Sequence, residues 1–211
     1  MRHKAVWQGT EVGLGLVLLV AVATMGASAE SARQPEIVPR SAWGAKPAQK
    51  DLMTPQTPRE IVIHHTSSRQ QPKLNLEQKL RGLQSFSQTP GRVNDKPKPV
   101  WGDLPYHFYI DAAGRIGEGR DVNYAGDSNT RYNTADRLQI VLEGNFDKDQ
   151  PTPEQLRALD QLVIWLATKY RVPSSKISGH NDHAPTDCPG RNLKSYLPQL
   201  RDKVTKASPP G

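Results

Sequence analysis

Ser178-Gly179-His180-Asn181-Asp182-His183-Ala184-Pro185-Thr186-Asp187-Cys188-Pro189-Gly190 is the stretch around which this chain is organised. Cys188 is the single cysteine and lies eight positions after His180. Pro185, Pro189 and Gly190 forbid a continuous helix or a central strand, so the segment is a loop. A loop of this length can bring an imidazole and a thiolate to one point, and both suit zinc. The plain alternative is a lone Cys acting as a small buried hydrophobe, with the histidines at the surface or satisfied in a core. A metal site needs a third ligand, and the pair His64-His65 at the end of an apolar run is the evident source.

The chain has 211 residues, enough for one domain with appendages and a real core. A hydrophobic fraction of 36% with 18 Pro and 16 Gly points to a loop-rich α/β or α+β domain. Residues 1–29 read as a secretory signal peptide: Arg2 and Lys4, then an uncharged apolar run from Val12 to Met25, then Ala27-Ser28-Ala29 before the cut. The run is short for a membrane span, and an uncleaved anchor is the alternative. The mature protein is therefore expected outside the cytoplasm, periplasmic or secreted, with no stable membrane span. One Cys allows no internal disulfide. A free thiol in an oxidising compartment is a liability unless buried or bound to metal. The formal charge is +7, and +6 without the first 29 residues, which suits an anionic polymer such as a cell wall. No nucleic-acid motif is present, so nucleic acid is not expected as a partner.

Residues 30–58 are proline-rich and read as an extended arm anchored by Trp43. The domain proper is expected over 59–202, and 203–211 as a disordered tail. Ile61-Val62-Ile63-His64-His65 reads as a buried strand. Its alternation points His64 and His65 to opposite faces, so only one faces a given pocket. Asn75 caps a helix with Gln78 three positions on, and Leu76, Leu80, Leu83 and Phe86 follow helical spacing. Residues 89–100 read as an exposed loop. Tyr106 to Ile110 is a strand, turned at Asp111–Gly114 into a hairpin partner over Arg115–Glu118. Residues 119–136 form a polar loop that suits a substrate. Leu138 to Glu143 is a third strand. Thr152-Pro153-Glu154-Gln155 starts a helix running to Tyr170, and Leu193 to Leu200 is a short terminal helix.

Five segments in this order resemble the type-2 N-acetylmuramoyl-L-alanine amidases, the family that includes the peptidoglycan recognition proteins. They are Ile37-Val38-Pro39-Arg40-Ser41-Ala42-Trp43-Gly44-Ala45, Ile61-Val62-Ile63-His64-His65-Thr66, Trp101-Gly102-Asp103-Leu104-Pro105-Tyr106-His107-Phe108, Val141-Leu142-Glu143-Gly144-Asn145-Phe146, and Gly179-His180 with Thr186-Asp187-Cys188-Pro189-Gly190. The resemblance spans about residues 37 to 200. It implies an α/β fold, a central mixed β-sheet flanked by helices. It also implies one zinc ion held by His64, His180 and Cys188, with the fourth position open as in a catalytic site. Tyr106 would orient water or steady an oxyanion, and Thr186 would help hold that charge. His65, Asp127, Glu143 and Asn145 are candidate substrate contacts. The chain departs from the family in Val141, where more distant relatives carry an acid, in Pro105 before the tyrosine, in Asp127 where a His is common, and in an apparent insertion over 89–100.

The resemblance implies zinc-dependent hydrolysis of the amide between N-acetylmuramic acid and L-alanine, with peptidoglycan or muropeptides as partners and the chain a monomer. A non-catalytic peptidoglycan-binding module is the alternative, though such relatives typically lose the Cys ligand. A third reading is an interaction protein with a structural zinc, the fourth ligand coming from His183 or Asp187.

Overall fold

The β-branched run Ile61-Val62-Ile63 lies at the centre of the molecule, with all three side chains fully buried. The computed structural model describes residues 1, 32–93 and 96–207. Apart from Met1, the expected signal peptide lies outside the described residues. In chain order the strands are β1 (Ile37–Val38), β2 (Glu60–His65), β3 (Gly91–Val93), β4 (Lys96–Lys98), β5 (Phe108–Ile110), β6 (Ile116–Glu118), β7 (Arg137–Leu142) and β8 (Ile177–Gly179). The helices are α1 (Leu76–Ser87), α2 (Pro153–Tyr170), α3 (Arg191–Lys194) and α4 (Leu197–Ala207). Six strands form one mixed sheet in the order β1-β6-β5-β7-β2-β8, and β3 with β4 forms a separate ribbon. Only β5 and β6 run antiparallel within the large sheet.

Alternation along the strands divides the sheet into two unlike faces. Ile61, Ile63, Leu138, Ile140, Leu142, Phe108 and Ile110 pack in one core with Leu159, Leu162, Val163 and Leu166 of α2 and Leu197, Leu200 and Val204 of α4. The opposite face carries Tyr109 and Val141, which pack with Leu76 and Leu80 of α1, Leu104 and Trp43. His64 lies level with Val141 across the β2–β7 ladder and shares that second face, as does Gln139 two residues before Val141. Both long helices begin with reciprocal caps: Asn75 with Gln78 for α1, and Thr152 with Gln155 for α2.

The structure refines or changes five expectations. The arm supplies an edge strand, β1, parallel to β6, because backbone pairing needs no periodicity in the sequence. Residues 89–100 are not simply a loop but hold the β3–β4 ribbon. Lys98, 3% exposed, pins it: its Nζ donates to the Ser87 and Pro99 carbonyls and sits over the Phe86 and Trp101 rings at 5.1 and 4.7 Å. Phe86 is accordingly not on the buried stripe of α1 but 42% exposed. The terminal helix is two helices, and the tail expected to be disordered from Lys203 is helical to Ala207. Pro198 fits the first turn of α4, where its missing N–H costs nothing, and burial of Val204 against the core holds the final turns.

Trp43 is fully buried and its Nε1 donates to the Glu118 carbonyl at 2.8 Å, while Arg81 donates to the Trp43 carbonyl at 2.8 Å. Trp43→Ala is expected to destabilise the domain by about 3–5 kcal/mol in urea unfolding. A loss under about 1 kcal/mol would show that the arm is peripheral.

Candidate metal centre and cleft

β2 and β8 run parallel with Ile63 opposite Gly179, so His64 and His180 leave the sheet side by side at the same edge. Their ring centroids are 4.6 Å apart. The loop after His180 turns back, with the Asn181 N–H donating to the Cys188 carbonyl at 2.8 Å. That turn brings the Cys188 Sγ to 3.5 Å from the His64 Nδ1. Gly190, at φ 85°, lets the end of the loop press against the Phe146 and Asp147 backbone, where a Cβ would meet the Phe146 carbonyl carbon at 2.6 Å. One potential ligand atom from each of His64, His180 and Cys188 lies within 4.8 Å of the others.

The donor set fits zinc. Atoms at zinc–nitrogen and zinc–sulfur distances of about 2.05 and 2.3 Å in a tetrahedron stand roughly 3.5 Å apart, the separation seen between His64 and Cys188. Burial, and then the neighbouring His180, pushes the His64 pKa down to about 3, while its bond to Gln139 opposes the shift. Burial, then His183, lowers His180 to about 4. Both rings are therefore neutral ligands at pH 7. Burial pushes the Cys188 thiol up to about 12, with the His65 N–H opposing it at 3.3 Å from Sγ. A bound divalent cation is what would favour the thiolate. Among the described residues no fourth protein ligand joins the cluster. His183 instead bonds Ser178 Oγ through Nε2 at 2.8 Å and stacks on Tyr132, and Asp187 is exposed.

A cleft of about 550 Å³ opens above the three residues. Tyr106 and Thr186 line it. The Tyr106 ring centroid is 5.2 Å from that of His64, and burial, then Cys188, raises its hydroxyl pKa. The Thr186 Oγ1 accepts from the Cys188 N–H at 3.3 Å. Leu83, Phe86, Val93 and Trp101 give the cleft apolar lining, and Asp127, Ser128 and Thr130 give it polar lining. Asp127 is ion-paired with Arg120, yet burial outweighs the guanidinium and lifts its carboxyl pKa.

The remaining candidates stand elsewhere. His65 borders the cleft, but its ring lies on the opposite face of β2, where Nδ1 accepts from the Phe146 N–H at 3.3 Å. Glu143, expected to contact substrate, is 2% exposed and fully engaged. It accepts from Lys79 Nζ at 2.8 Å, Gln71 N at 2.6 Å and Ala112 N at 3.0 Å. A paired, buried carboxylate ties α1 and the β5–β6 turn to the end of β7 rather than meeting a ligand. Asn145 braces the loop after β2 by donating from Nδ2 to the Ser67 carbonyl at 3.3 Å. Sequence reasoning missed Gln139 and Thr130, which bond the two histidines. A polar residue interrupting Leu138-Gln139-Ile140-Val141-Leu142 was the available signal for the first.

A family model described as N-acetylmuramoyl-L-alanine amidase matches residues 54–191, and the chain belongs to that family. Peptidoglycan-recognition protein SD of Drosophila simulans is 29% identical over 193 residues, covering 90% of this chain and 95% of that protein. The crystal structure of Drosophila peptidoglycan recognition protein SD is similar with a TM-score of 0.66 at 28% identity, over 78% of this chain and 94% of that one. The endolysin N-acetylmuramoyl-L-alanine amidase LysCS from Clostridium intestinale is similar with a TM-score of 0.59 at 27% identity, over 82% and 98%. The fold is accordingly that of the peptidoglycan recognition proteins. No helix among the described residues is long and apolar enough to cross a membrane.

Four buried histidines resist protonation in the fold: His64 and His180 as above, His107, whose pKa burial lowers to about 4, and His65, which burial also lowers. Unfolded, each would protonate near the ordinary 6.5. Below that value the unfolded chain binds more protons, so acid favours unfolding. The metal-free domain should keep its stability above about pH 6.5 and lose up to roughly 1.4 kcal/mol per pH unit per histidine on the way to about pH 4. Urea midpoints measured across that range check this, and flat midpoints would contradict it.

Proposed function

We propose that this protein is a zinc-dependent N-acetylmuramoyl-L-alanine amidase that hydrolyses the amide between the lactyl group of N-acetylmuramic acid and L-alanine in peptidoglycan. The observation that carries the reading is the separation of His64 Nδ1 and Cys188 Sγ, which matches neighbouring ligands of one tetrahedral ion. The family match supports the reaction class, and the amidase LysCS is a solved relative named for it. The intact Cys188 with Tyr106 beside His64 favours catalysis over binding alone.

Zinc at His64, His180 and Cys188 would supply Lewis-acid chemistry, polarising an amide carbonyl and acidifying water. The chain's own groups do the rest. Tyr106 keeps its proton at neutral pH, because burial opposes the phenolate, so its hydroxyl is a donor to a developing oxyanion. Thr186 accepts from the Cys188 N–H, which leaves its O–H free to donate toward the cleft. The neutral imidazoles keep their lone pairs for the metal instead of competing for protons. The apolar lining at Phe86 and Trp101 and the hydroxyl-bearing lining at Ser128 and Thr130 suit a substrate that combines methyl groups with amides and sugar hydroxyls. The leader expected at residues 1–29 and the formal net charge of +7 would suit work on an anionic wall outside the cytoplasm.

Zinc-loaded protein incubated with defined muropeptides should release intact stem peptides with a free L-alanine amino group, read by mass spectrometry. Cys188→Ser and Tyr106→Phe should each lower kcat by about a hundredfold or more. Muropeptides that are bound but left uncut by zinc-loaded protein would instead identify a recognition module.

A further inference from the structure

We propose that Gln139 and Thr130 are positioning residues that fix the tautomer and aim of the two histidines, and so set the strength of metal binding without touching the ion. The inference rests on reading His64, His180 and Cys188 as the metal site.

Gln139 lies in the middle of β7, 1% exposed, between Leu138 and Ile140. Its Oε1 accepts from His64 Nε2 at 2.5 Å and from the Tyr132 hydroxyl at 3.0 Å. A carboxamide oxygen can only accept, so the His64 proton sits on Nε2 and the lone pair on Nδ1. Nδ1 is the nitrogen that faces Cys188. The Gln139 Nε2, by contrast, is buried without a hydrogen-bond partner among the described residues. An unsatisfied amide donor costs about 1–3 kcal/mol, a cost that an apolar side chain of similar length would not carry. As packing, the amide is therefore a poor choice, and the part of it that is used is the oxygen.

The second histidine is held in the same manner. Thr130 Oγ1 lies 2.6 Å from His180 Nε2. The Thr130 hydroxyl is also 2.8 Å from Ser128 Oγ, which accepts from the Thr130 N–H. With His180 Nδ1 as the metal-facing nitrogen, the proton arrangement is that His180 Nε2–H donates to Thr130 and Thr130 O–H donates to Ser128. The Tyr132 ring adds a contact 5.0 Å from the His180 ring. One short loop, residues 128–132, thus holds His180 directly through Thr130 and the Tyr132 ring, and reaches His64 through the Tyr132 bond to Gln139. Outer hydrogen bonds of this kind orient metal-ligating histidines and raise their basicity.

The test compares isosteric pairs on the full chain. Zinc affinity is measured by competition with a chromophoric chelator, and the metal-free fold is checked by near-ultraviolet circular dichroism. Gln139→Met and Thr130→Val remove the acceptors and should weaken zinc binding by about tenfold to hundredfold while keeping the fold. Gln139→Glu and Thr130→Ser keep an acceptor and should hold zinc within about threefold of the parent or tighter. If Gln139→Met does not fold, Thr130→Val, on the cleft loop outside the core, carries the comparison. Variants without acceptors that bind zinc as tightly as a zinc-binding parent would overturn this inference alone. A parent chain that does not bind zinc would overturn the reading of the site, and this inference with it.

Discussion

The parallel pairing of β2 with β8 is the constraint on which the rest of the molecule depends. With Ile63 opposite Gly179, the chain leaves β8 at His180 just where β2 presents His64. Parallel strands end at the same edge of a sheet, and ligands of open α/β sheets gather at that carboxyl edge. The register is also decisive for which histidine faces the cleft. A slip of one residue would exchange every side chain between faces, turning His65 inward and His64 toward Phe146. Ile61 and Ile63 guard against that slip, because both would then leave the core beneath α2.

Burial shapes the chemistry at that edge. His64 and His180 are held neutral, Cys188 is held as a thiol, and Tyr106 keeps its hydroxyl proton, each chiefly because the charged form would be poorly solvated. A cation reverses the balance at the sulfur, so ion and thiolate would arrive together. The frame around the cleft is kept stiff by polar groups with their donors in use. Arg120, 1% exposed, donates to the carbonyls of Leu104 at 2.7 Å and Asp103 at 3.2 Å, and bonds the Ala125 carbonyl and Asp127 as well. It thereby joins the segment leading into Tyr106 to the loop at Asp127 that also lines the cleft.

Much of the frame was legible from residue chemistry because the signals are local. The capping boxes at Asn75 and Thr152 mark two helices, and the β-branched run before His64 marks a central strand. What was hidden depends on partners distant in sequence. β1 has two residues and exists only because β6 is beside it. The last turns of α4 rest on Val204 meeting the core. The ribbon of 91–93 with 96–98 was obscured by its Pro and Lys content, since its attachment comes from Lys98 finding a helix end and two rings. At the site, the types and spacing of His180 and Cys188 suggested a metal loop, alternation allowed only one of His64 and His65 to face it, and the family resemblance pointed to His64, which lies beside both. Gln139 stayed hidden, because a glutamine in an apolar strand looks like an interruption until its oxygen is seen at His64. Glu143, a candidate contact on the resemblance alone, is buried in an ion pair with Lys79, a partner 64 residues away that the sequence does not announce.

X-ray absorption at the zinc edge tests the central claim most directly, because it counts the atoms around the ion without reference to activity. For the zinc-loaded chain the account predicts one sulfur at about 2.3 Å, two imidazole nitrogens at about 2.0 Å and one further light atom that is not imidazole. A shell without sulfur, or one with a third imidazole, would contradict it.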